Sequence, residues 1–325
     1  MKLPRRQFLH LAVGAVVLPA VSRAAKAQAY PTKPVRIVVG YAAGGGTDIV
    51  ARLIGQWLSE RLGQQFVIEN RSGAATNIGT EAVVRAPADG YTLLLAHTAN
   101  AINATLYEKL NFNFIRDITP VAGIMRVPNI MVVNPSLPAK TVPEFIAYAK
   151  ANSGKINMAS GGAGGPDHMS GELFMTMTGV NMLHVPYRGL SPALTDLLAG
   201  QVQVIFSSLP AAIEYVKAGK LRALAVTTAT RFEGKSDIPS VGETVPNYDA
   251  SQWYGVGAPK NTPAEIVVKL NKEINAALAD PNMKGRLADL GGTVLPGSPD
   301  DFGTLIVQDT ENWAKVVKFA GIKAD

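Results

Sequence analysis

Two glycine-rich segments, each placed between an apolar run and a helical pattern, constrain the fold of this chain most strongly. Val35–Gly40 leads into Tyr41-Ala42-Ala43-Gly44-Gly45-Gly46-Thr47-Asp48, and Lys155–Ala159 leads into Ser160-Gly161-Gly162-Ala163-Gly164-Gly165-Pro166-Asp167. Apolar residues recur at helical spacing after the first turn, and a helical stretch also follows the second. The sequence therefore predicts the same unit twice: a strand, a glycine-rich turn and a helix.

The rest of the chain alternates in the same way. Further predicted strands are Phe66–Glu69, Tyr91–Ala96, Ile130–Val133, Met182–Val185, Val202–Phe206 and Leu221–Val226. Helix-start signals stand at Thr141–Glu144, Thr262–Glu265 and Ser298–Asp301. This alternation predicts an α/β fold with largely parallel sheets. At 325 residues, 47% hydrophobic and 17% charged, the chain has room for two domains and does not have the composition of a disordered protein.

The two turns suggest a binding cleft. Glycine lets a ligand approach the backbone closely, and the amide groups at a helix start favour an anion. Two matched turns in two halves of the chain favour a cleft that grips an anionic ligand from both sides. The alternative is that each turn merely packs its helix on a sheet. Asp48 and Asp167, in the first turns of these helices, would repel an anion, so we interpret them as caps or structural partners.

The sequence shows no motif typical of catalysis, cofactor binding or metal binding. The first turn has Gly46 where a P-loop has lysine, and neither turn completes G-x-G-x-x-G. Cysteine is absent, and there is no G-x-S-x-G. His97, which follows a predicted strand, could face the cleft, whereas we interpret His184 and the His168–Glu172 pair as structural. We expect no catalytic residue, no metal and no cofactor.

The formal net charge of +6 belongs almost entirely to the first 29 residues. They hold five of the 31 basic residues and no acid, so 26 basic residues remain against 25 acidic ones. A basic start, an apolar stretch from Phe8 to Val21 and small-x-small sites near Ala27 are typical of a cleaved export signal. Pro4–Leu9 resembles a twin-arginine motif, with an ordinary secretory signal as the alternative. Basic residues are dispersed in the rest of the chain, so we expect no nucleic-acid partner.

From about Tyr30 to its end the chain resembles the substrate-binding proteins of tripartite tricarboxylate transporters, the Bug or TctC family. The motifs that carry the resemblance are the two glycine-rich turns, Glu69–Ala74, Ala88–Leu93, His184–Gly189, Asp196–Gly200 and Trp253–Gly255. Each motif is weak by itself, and their combination in this order is specific.

The resemblance implies a two-lobed type II periplasmic-binding-protein fold with a ligand cleft between the lobes. Lobe one would comprise residues 30–130 plus 255–325, and lobe two residues 131–254. It further implies that the chain captures a small carboxylate, either a di- or tricarboxylate or an aromatic acid, in the periplasm. The chain would then deliver the ligand to the permease subunits of a membrane transporter. We expect a monomer.

The resemblance also implies the site. The expected ligand-binding residues are Tyr41, Ala43, Gly45, Gly46, Thr47, Ala75, Thr76, Asn77, Thr98, Ser160, Gly161, Ala163, Gly164 and Ser207. Many relatives carry an aspartate after the phenylalanine that ends the strand at Phe206, and here that position is Ser207. The missing charge predicts a ligand without an ammonium group.

Two other functions stay open at this point. Twin-arginine export suits folded, cofactor-loaded enzymes, so an exported hydrolase or cofactor enzyme is one alternative. A receptor that reports to a sensor kinase instead of a permease is the other.

Overall fold

A computed structural model describes residues 30–232 and 237–322, so the export segment lies outside the described residues. The strands are β1 Val35–Val39, β2 Phe66–Asn70, β3 Thr92–His97, β4 Ile118–Val133, β5 Asn157–Ser160, β6 Leu183–Pro186, β7 Val204–Ser208, β8 Arg222–Val226, β9 Ser251–Pro259 and β10 Thr293–Val294. The helices are α1 Gly46–Leu62, α2 Asn77–Val84, α3 Thr98–Leu106, α4 Phe114–Asp117, α5 Val142–Ala151, α6 Pro166–Thr178, α7 Leu190–Leu198, α8 Leu209–Lys217, α9 Ala264–Ala279, α10 Pro281–Asp289 and α11 Pro299–Ala320.

The strands form two groups joined by β4. In the first group β1 pairs in parallel with β2 and β3, and β9 pairs antiparallel with both β3 and β4. In the second group β5 pairs in parallel with β6 and β7, while β7 and β8 pair antiparallel with β4. The α/β class is confirmed, and the parallel arrangement holds for the outer strands only.

The long strand β4 explains the antiparallel centre. Residues 118–128 pair with β9, and residues 129–133 pair with β7 and β8, so one unbroken strand serves both groups. The sequence predicts a strand only at Ile130–Val133, because Pro120, Pro128 and Gly123 interrupt the β-branched pattern before it. The register of the pairing between β4 and β9 shifts near Pro120 and Gly123, so the strand accommodates these residues through local irregularities.

Helices cover the strands and bury three apolar clusters. The first cluster includes Ile37, Leu58 and Leu270, and the second gathers Phe145, Phe174 and Tyr248 of the other strand group. Trp313 of α11 belongs to the second cluster, so the C-terminal helix packs against both strand groups. The α11 start follows the predicted capping box, with Ser298 and Asp301 exchanging hydrogen bonds. Within the described residues, no helix combines the length and apolar character that a bilayer crossing needs.

Candidate functional site

The two glycine-rich turns leave the carboxyl ends of β1 and β5 and meet across a cleft. A Cβ atom built on Gly165 would lie 3.2 Å from the Tyr41 hydroxyl oxygen. A Cβ atom on Gly189 would lie 3.0 Å from the Ala42 Cβ atom, so the segment after β6 also contacts the first turn. Ligands of open α/β folds bind at the carboxyl ends of strands, and the two turns occupy those ends here.

Both helices that follow the turns begin without a side-chain cap. The N-cap residues are Gly45 for α1 and Gly165 for α6, and neither can supply a capping oxygen. The positive ends of two helix dipoles therefore point toward the same cleft. This pair of helix starts is suited to an anion.

A small cavity of about 20 Å³ lies between the turns. We call it the inner cavity; it is lined by Tyr41, Gly45, Gly46, Thr47, His97, Gly161, Pro166, Asp167, Leu190, Ser208, Gln252 and Tyr254. That volume is close to the space that one water molecule needs. A small organic acid therefore fits only when the two sides of the cleft move apart.

The inner cavity is rich in buried polar atoms without regular hydrogen bonds. Among the described residues, no well-formed hydrogen bond reaches the hydroxyls of Tyr41, Tyr254 and Ser208 or the Nε2 atom of His97. The Tyr254 hydroxyl lies beside those of Ser208 and Thr47. Burial raises the pKa of Tyr41 and Tyr254, so both phenols keep their protons. Unsatisfied buried donors are costly and call for an explanation, which a ligand acceptor provides.

His97 contributes a donor with a defined tautomer. Its Nδ1 atom accepts a hydrogen bond from the Ala99 amide at 3.3 Å, and burial lowers the pKa of the ring to about 3. The neutral ring then carries its proton on Nε2, the buried atom without a hydrogen-bond partner. Together with the three hydroxyls, the imidazole provides four donors for an acceptor-only group such as a carboxylate.

Asp167 is the one acid among the described residues that line the inner cavity. Its carboxylate accepts a short hydrogen bond from the Gly161 amide. Burial raises its pKa, and the amides of Gly161, Asp167 and His168 oppose that rise only partly. The neutral acid is therefore favoured over a wider pH range than for a free aspartate, and in that form Asp167 does not repel a bound anion.

A chain of polar contacts holds the second turn. The Ser160 hydroxyl lies 2.7 Å from Nε2 of His184, and the ring of His184 stacks on that of His168 at 3.6 Å between centroids. His168 accepts the Gly164 amide on Nδ1 at 2.9 Å, so its Nε2 donates to Glu172 at 3.0 Å. Burial and the neighbouring His168 lower the pKa of His184 to about 3. The expected structural role of these histidines fits this arrangement.

The structure brings eight of the fourteen predicted site residues to the cleft walls or to the second turn's scaffold. Tyr41, Gly45, Gly46, Thr47 and Gly161 line the inner cavity. Tyr41, Ala75, Gly161 and Ala163 line a second pocket of about 510 Å³, which we call the outer pocket. Ser160 stands behind the second turn and does not line either space.

The remaining predicted residues lie outside both spaces. Thr98 is fully buried and accepts the Trp253 amide at 2.8 Å, because it starts α3 rather than facing the cleft. Thr76 accepts a hydrogen bond from Asn100, and Asn77 accepts one from Asn103. These contacts fix the turn after β2. Ala43 is exposed, and Gly164 has a φ of +76° beside Leu106.

Ser207 is also absent from the inner cavity, and Ser208 takes its place. The predicted strand ends at Phe206, whereas β7 continues to Ser208. The residue that lies beside the cleft is therefore one position further along than expected. Ser207 donates its hydroxyl hydrogen to the Ser208 carbonyl at 3.1 Å. The identity of position 207 thus carries less information about the ligand than the sequence suggests.

Gln252 and Tyr254 are cavity residues that the sequence reasoning did not single out. Both belong to β9. This strand is not predicted from the sequence, because Gly255 and Gly257 interrupt its pattern of strand-forming residues. The signal that could have found them is the Trp253–Gly255 motif, which contains Tyr254; Gln252, two residues earlier on the strand, faces the same side as Tyr254. From the sequence, Asp167 is interpreted as a cap or structural partner. Asp167 does accept a hydrogen bond from the Gly161 amide of its own turn, and it also lines the inner cavity.

The fold and the cleft define a class of protein: a two-lobed solute-binding protein. Residues 50–322 match the model of the tripartite tricarboxylate transporter family receptor, TctC. The chain belongs to this family.

Relatives and solved structures agree with that assignment. Protein BugT of Bordetella pertussis is 36% identical over 300 residues, covering 91% of this chain and 92% of BugT. The structure of R. palustris Rpa4515 with adipate is 41% identical with a TM-score of 0.89, and periplasmic binding protein BugD is 34% identical with a TM-score of 0.88. Each covers 91% of this chain and 100% of the other. MatC from Rhodopseudomonas palustris with bound malate is 32% identical, with a TM-score of 0.85. The match covers 89% of this chain and 100% of MatC.

Proposed function

We propose that this chain is a periplasmic receptor that captures a small carboxylate and presents it to the permease subunits of a tripartite tricarboxylate transporter. The observation that carries the proposal is the set of buried donors in the inner cavity, between two uncapped helix starts. A carboxylate offers about four lone-pair positions and no donor, which matches this set. Rpa4515 holds adipate and MatC holds malate, and both share the fold of this chain.

Binding is proposed to involve lobe movement. We assign residues 30–130 plus 255–325 to one lobe and 131–254 to the other. The inner cavity of about 20 Å³ cannot admit a dicarboxylate as it stands, so entry requires the turns to separate. A hinge movement of this kind would couple ligand capture to a shape that the permease recognises.

The ligand is proposed to lack an ammonium group. Ser207 does not line the inner cavity, so Asp167 is the acid that a cationic group would meet there. Burial raises the pKa of Asp167, so its neutral form, which attracts a cation only weakly, persists to a higher pH than that of an ordinary aspartate. If calorimetry shows that aspartate binds more tightly than succinate, the ligand class is wrong.

The proposed location of the mature protein is the periplasm, and the N-terminal export signal at residues 1–29 would direct the chain there. Tripartite receptors bind without turnover, and we propose the same for this chain. Incubation of the purified protein with a bound carboxylate, followed by chromatography of the ligand, distinguishes a receptor from an enzyme. Recovery of unchanged ligand supports the receptor, and conversion to product contradicts it.

A thermal-shift screen of small carboxylates tests the whole proposal. A ligand at a hundred times its dissociation constant stabilises the native state by about 2.7 kcal/mol, which raises the melting temperature measurably. The panel should include malate, succinate, adipate, citrate and benzoate, with glucose and ethylenediamine as uncharged and cationic controls. A shift with carboxylates only is expected. Stabilisation by the controls alone, or by no carboxylate at all, would contradict the proposed function.

A further inference from the structure

The outer pocket adjoins the inner cavity and shares two residues, Tyr41 and Gly161, with it. Its volume of about 510 Å³ lies within the range of small-molecule sites. One wall is formed by residues 72–78 after β2, and the opposite wall by the second turn and residues 186–188 after β6. The two spaces are therefore neighbours in the same cleft.

Arg188 gives the outer pocket a positive charge. Among the described residues that line the pocket, Arg188 is the one with a charged side chain, and no carboxylate lines it. Arg188 is exposed and forms no ion pair with an acid in the described part of the chain. Arg52 and Arg71 of the other strand group, by contrast, contact Asp48 at 2.9 Å and Glu69 at 2.5 Å.

The backbone around Arg188 is held in place. The Tyr187 amide donates to the Ser160 carbonyl at 2.9 Å, and the Gly189 amide donates to the Gly161 carbonyl at 2.9 Å. The Tyr187 hydroxyl donates to Asp196 at 2.5 Å. Arg188 therefore starts from a fixed position beside the second turn, with five donors available for a planar acid.

The remaining surface of the outer pocket is largely apolar or aromatic. Ile78, with 54% of its surface exposed, and Ala74 lie on the wall after β2, and Pro186 and Ala163 lie on the other wall. An exposed isoleucine that lines a pocket is suited to the methylene groups of a ligand. The outer pocket thus combines an apolar surface with one guanidinium, and it adjoins the donor-rich inner cavity.

We infer that the outer pocket binds the second acidic group of a dicarboxylate with an apolar spacer, and that Arg188 determines this specificity. The inference rests on the proposed function, because the first carboxylate would occupy the inner cavity. The ligand class is an α,ω-diacid whose methylene chain passes Ile78. When an acid with one carboxylate binds, the Arg188 guanidinium would remain hydrated and would gain no acidic partner.

Calorimetry with paired ligands tests the inference. Wild-type protein and the Arg188→Gln variant are titrated with adipate and with hexanoate, which has the same number of carbon atoms and one carboxylate. A charge-assisted bidentate contact leads us to expect about tenfold weaker adipate binding in Arg188→Gln and little change for hexanoate. Arg71→Gln, which removes the same charge beside the cleft from a residue that does not line the pocket, serves as the matched control.

The outcomes separate the two proposals. Equal loss of adipate affinity in Arg188→Gln and Arg71→Gln would indicate general charge attraction and overturn the inference. A wild-type protein that binds hexanoate as tightly as adipate would also overturn it, while leaving the proposed function intact. Absence of binding by every carboxylate in the panel would overturn both. Thermal unfolding of each variant confirms that the fold is retained.

Discussion

The two glycine-rich turns have the same plan and different electrostatics. In the first turn Asp48 accepts hydrogen bonds from the Gly44 amide at 3.0 Å, from Arg52 at 2.9 Å and from Asn70 at 3.0 Å. Burial acts to raise its pKa, but these hydrogen bonds prevail and lower it. In the second turn Asp167 holds the Gly161 amide in the same way, yet burial prevails and raises its pKa. The same motif thus gives an acid that stays ionised to a lower pH on one side and an acid that keeps its proton to a higher pH on the other.

This difference shows how one motif serves two tasks. The first turn has its charge balanced by Arg52, so it presents its amides as a fixed platform. In the second turn no arginine or lysine among the described residues forms an ion pair with Asp167, and the turn is supported by the stacked rings of His168 and His184 instead. The first turn supplies geometry, and the second adds a dependence on pH.

Glycine at the start of α1 gives the largest expected effect. A Cβ atom on Gly46 would lie 2.5 Å from the Ser208 hydroxyl oxygen and 3.0 Å from that of Tyr254, whereas one on Gly45 has its nearest contact at 3.8 Å. We expect Gly46→Ala to weaken carboxylate binding by about 100-fold or more, about 2.7 kcal/mol. Gly45→Ala, the matched control, should change it less than about threefold. Calorimetry measures both, and equal affinities would show that the first turn is not part of the site.

Asp167→Asn sharpens the electrostatic contrast. As the pH rises through the raised pKa of Asp167, its carboxylate ionises and repels the bound anion, so wild-type affinity should fall. The amide cannot ionise, so the variant should bind about tenfold more tightly at pH values above the raised pKa of Asp167, and its profile over a pH 4–8 series should be flatter than that of wild type. Isothermal titrations across that series test this. A profile in Asp167→Asn as steep as that of wild type would assign the pH dependence to other groups.

Asp48→Asn should act on stability and leave the pH profile of binding unchanged. A carboxylate with a lowered pKa stabilises the native state above its unfolded value of 3.8, and that contribution is lost as the pH falls through the folded pKa. We expect a loss of about 1 kcal/mol at pH 7. Urea denaturation at pH 7 and under strongly acidic conditions measures the difference. A deficit that persists at low pH would contradict the role of the charge.

His184→Gln gives the smallest expected effect. Because the folded pKa of His184 is about 3, below the ordinary 6.5, the unfolded chain binds more protons between these values, and stability falls as the pH falls. Without this imidazole, the loss between pH 6 and pH 5 should shrink by at most about 1 kcal/mol. Denaturation midpoints at both pH values provide the measurement. An unchanged slope would place the acid sensitivity at other residues, such as His97.

Local patterns predicted the parts of the fold that they specify. Glycine-rich turns, capping residues and β-branched runs identify β1, β5 and the start of α11, because these signals lie within a few residues of each other. Residues 118–129 of β4 and all of β9 were not predicted, since the strand conformation of this part of β4 and of β9 is fixed by their pairing across more than a hundred residues. Within the site, backbone positions such as Gly46 followed from the turn motif. Ser208 and Tyr254 depended on where strands end and how distant strands align, and no local signal encodes that.

The continuous strand β4 also limits how relatives of this protein can vary. Because its two halves pair with different neighbours, a single inserted residue near Asn129 would turn every later side chain of the strand to the opposite face. The spacing between the two turns is therefore tied to the length of one strand. In this chain the two walls of the cleft are thus joined by one strand whose register is fixed by pairing on both sides.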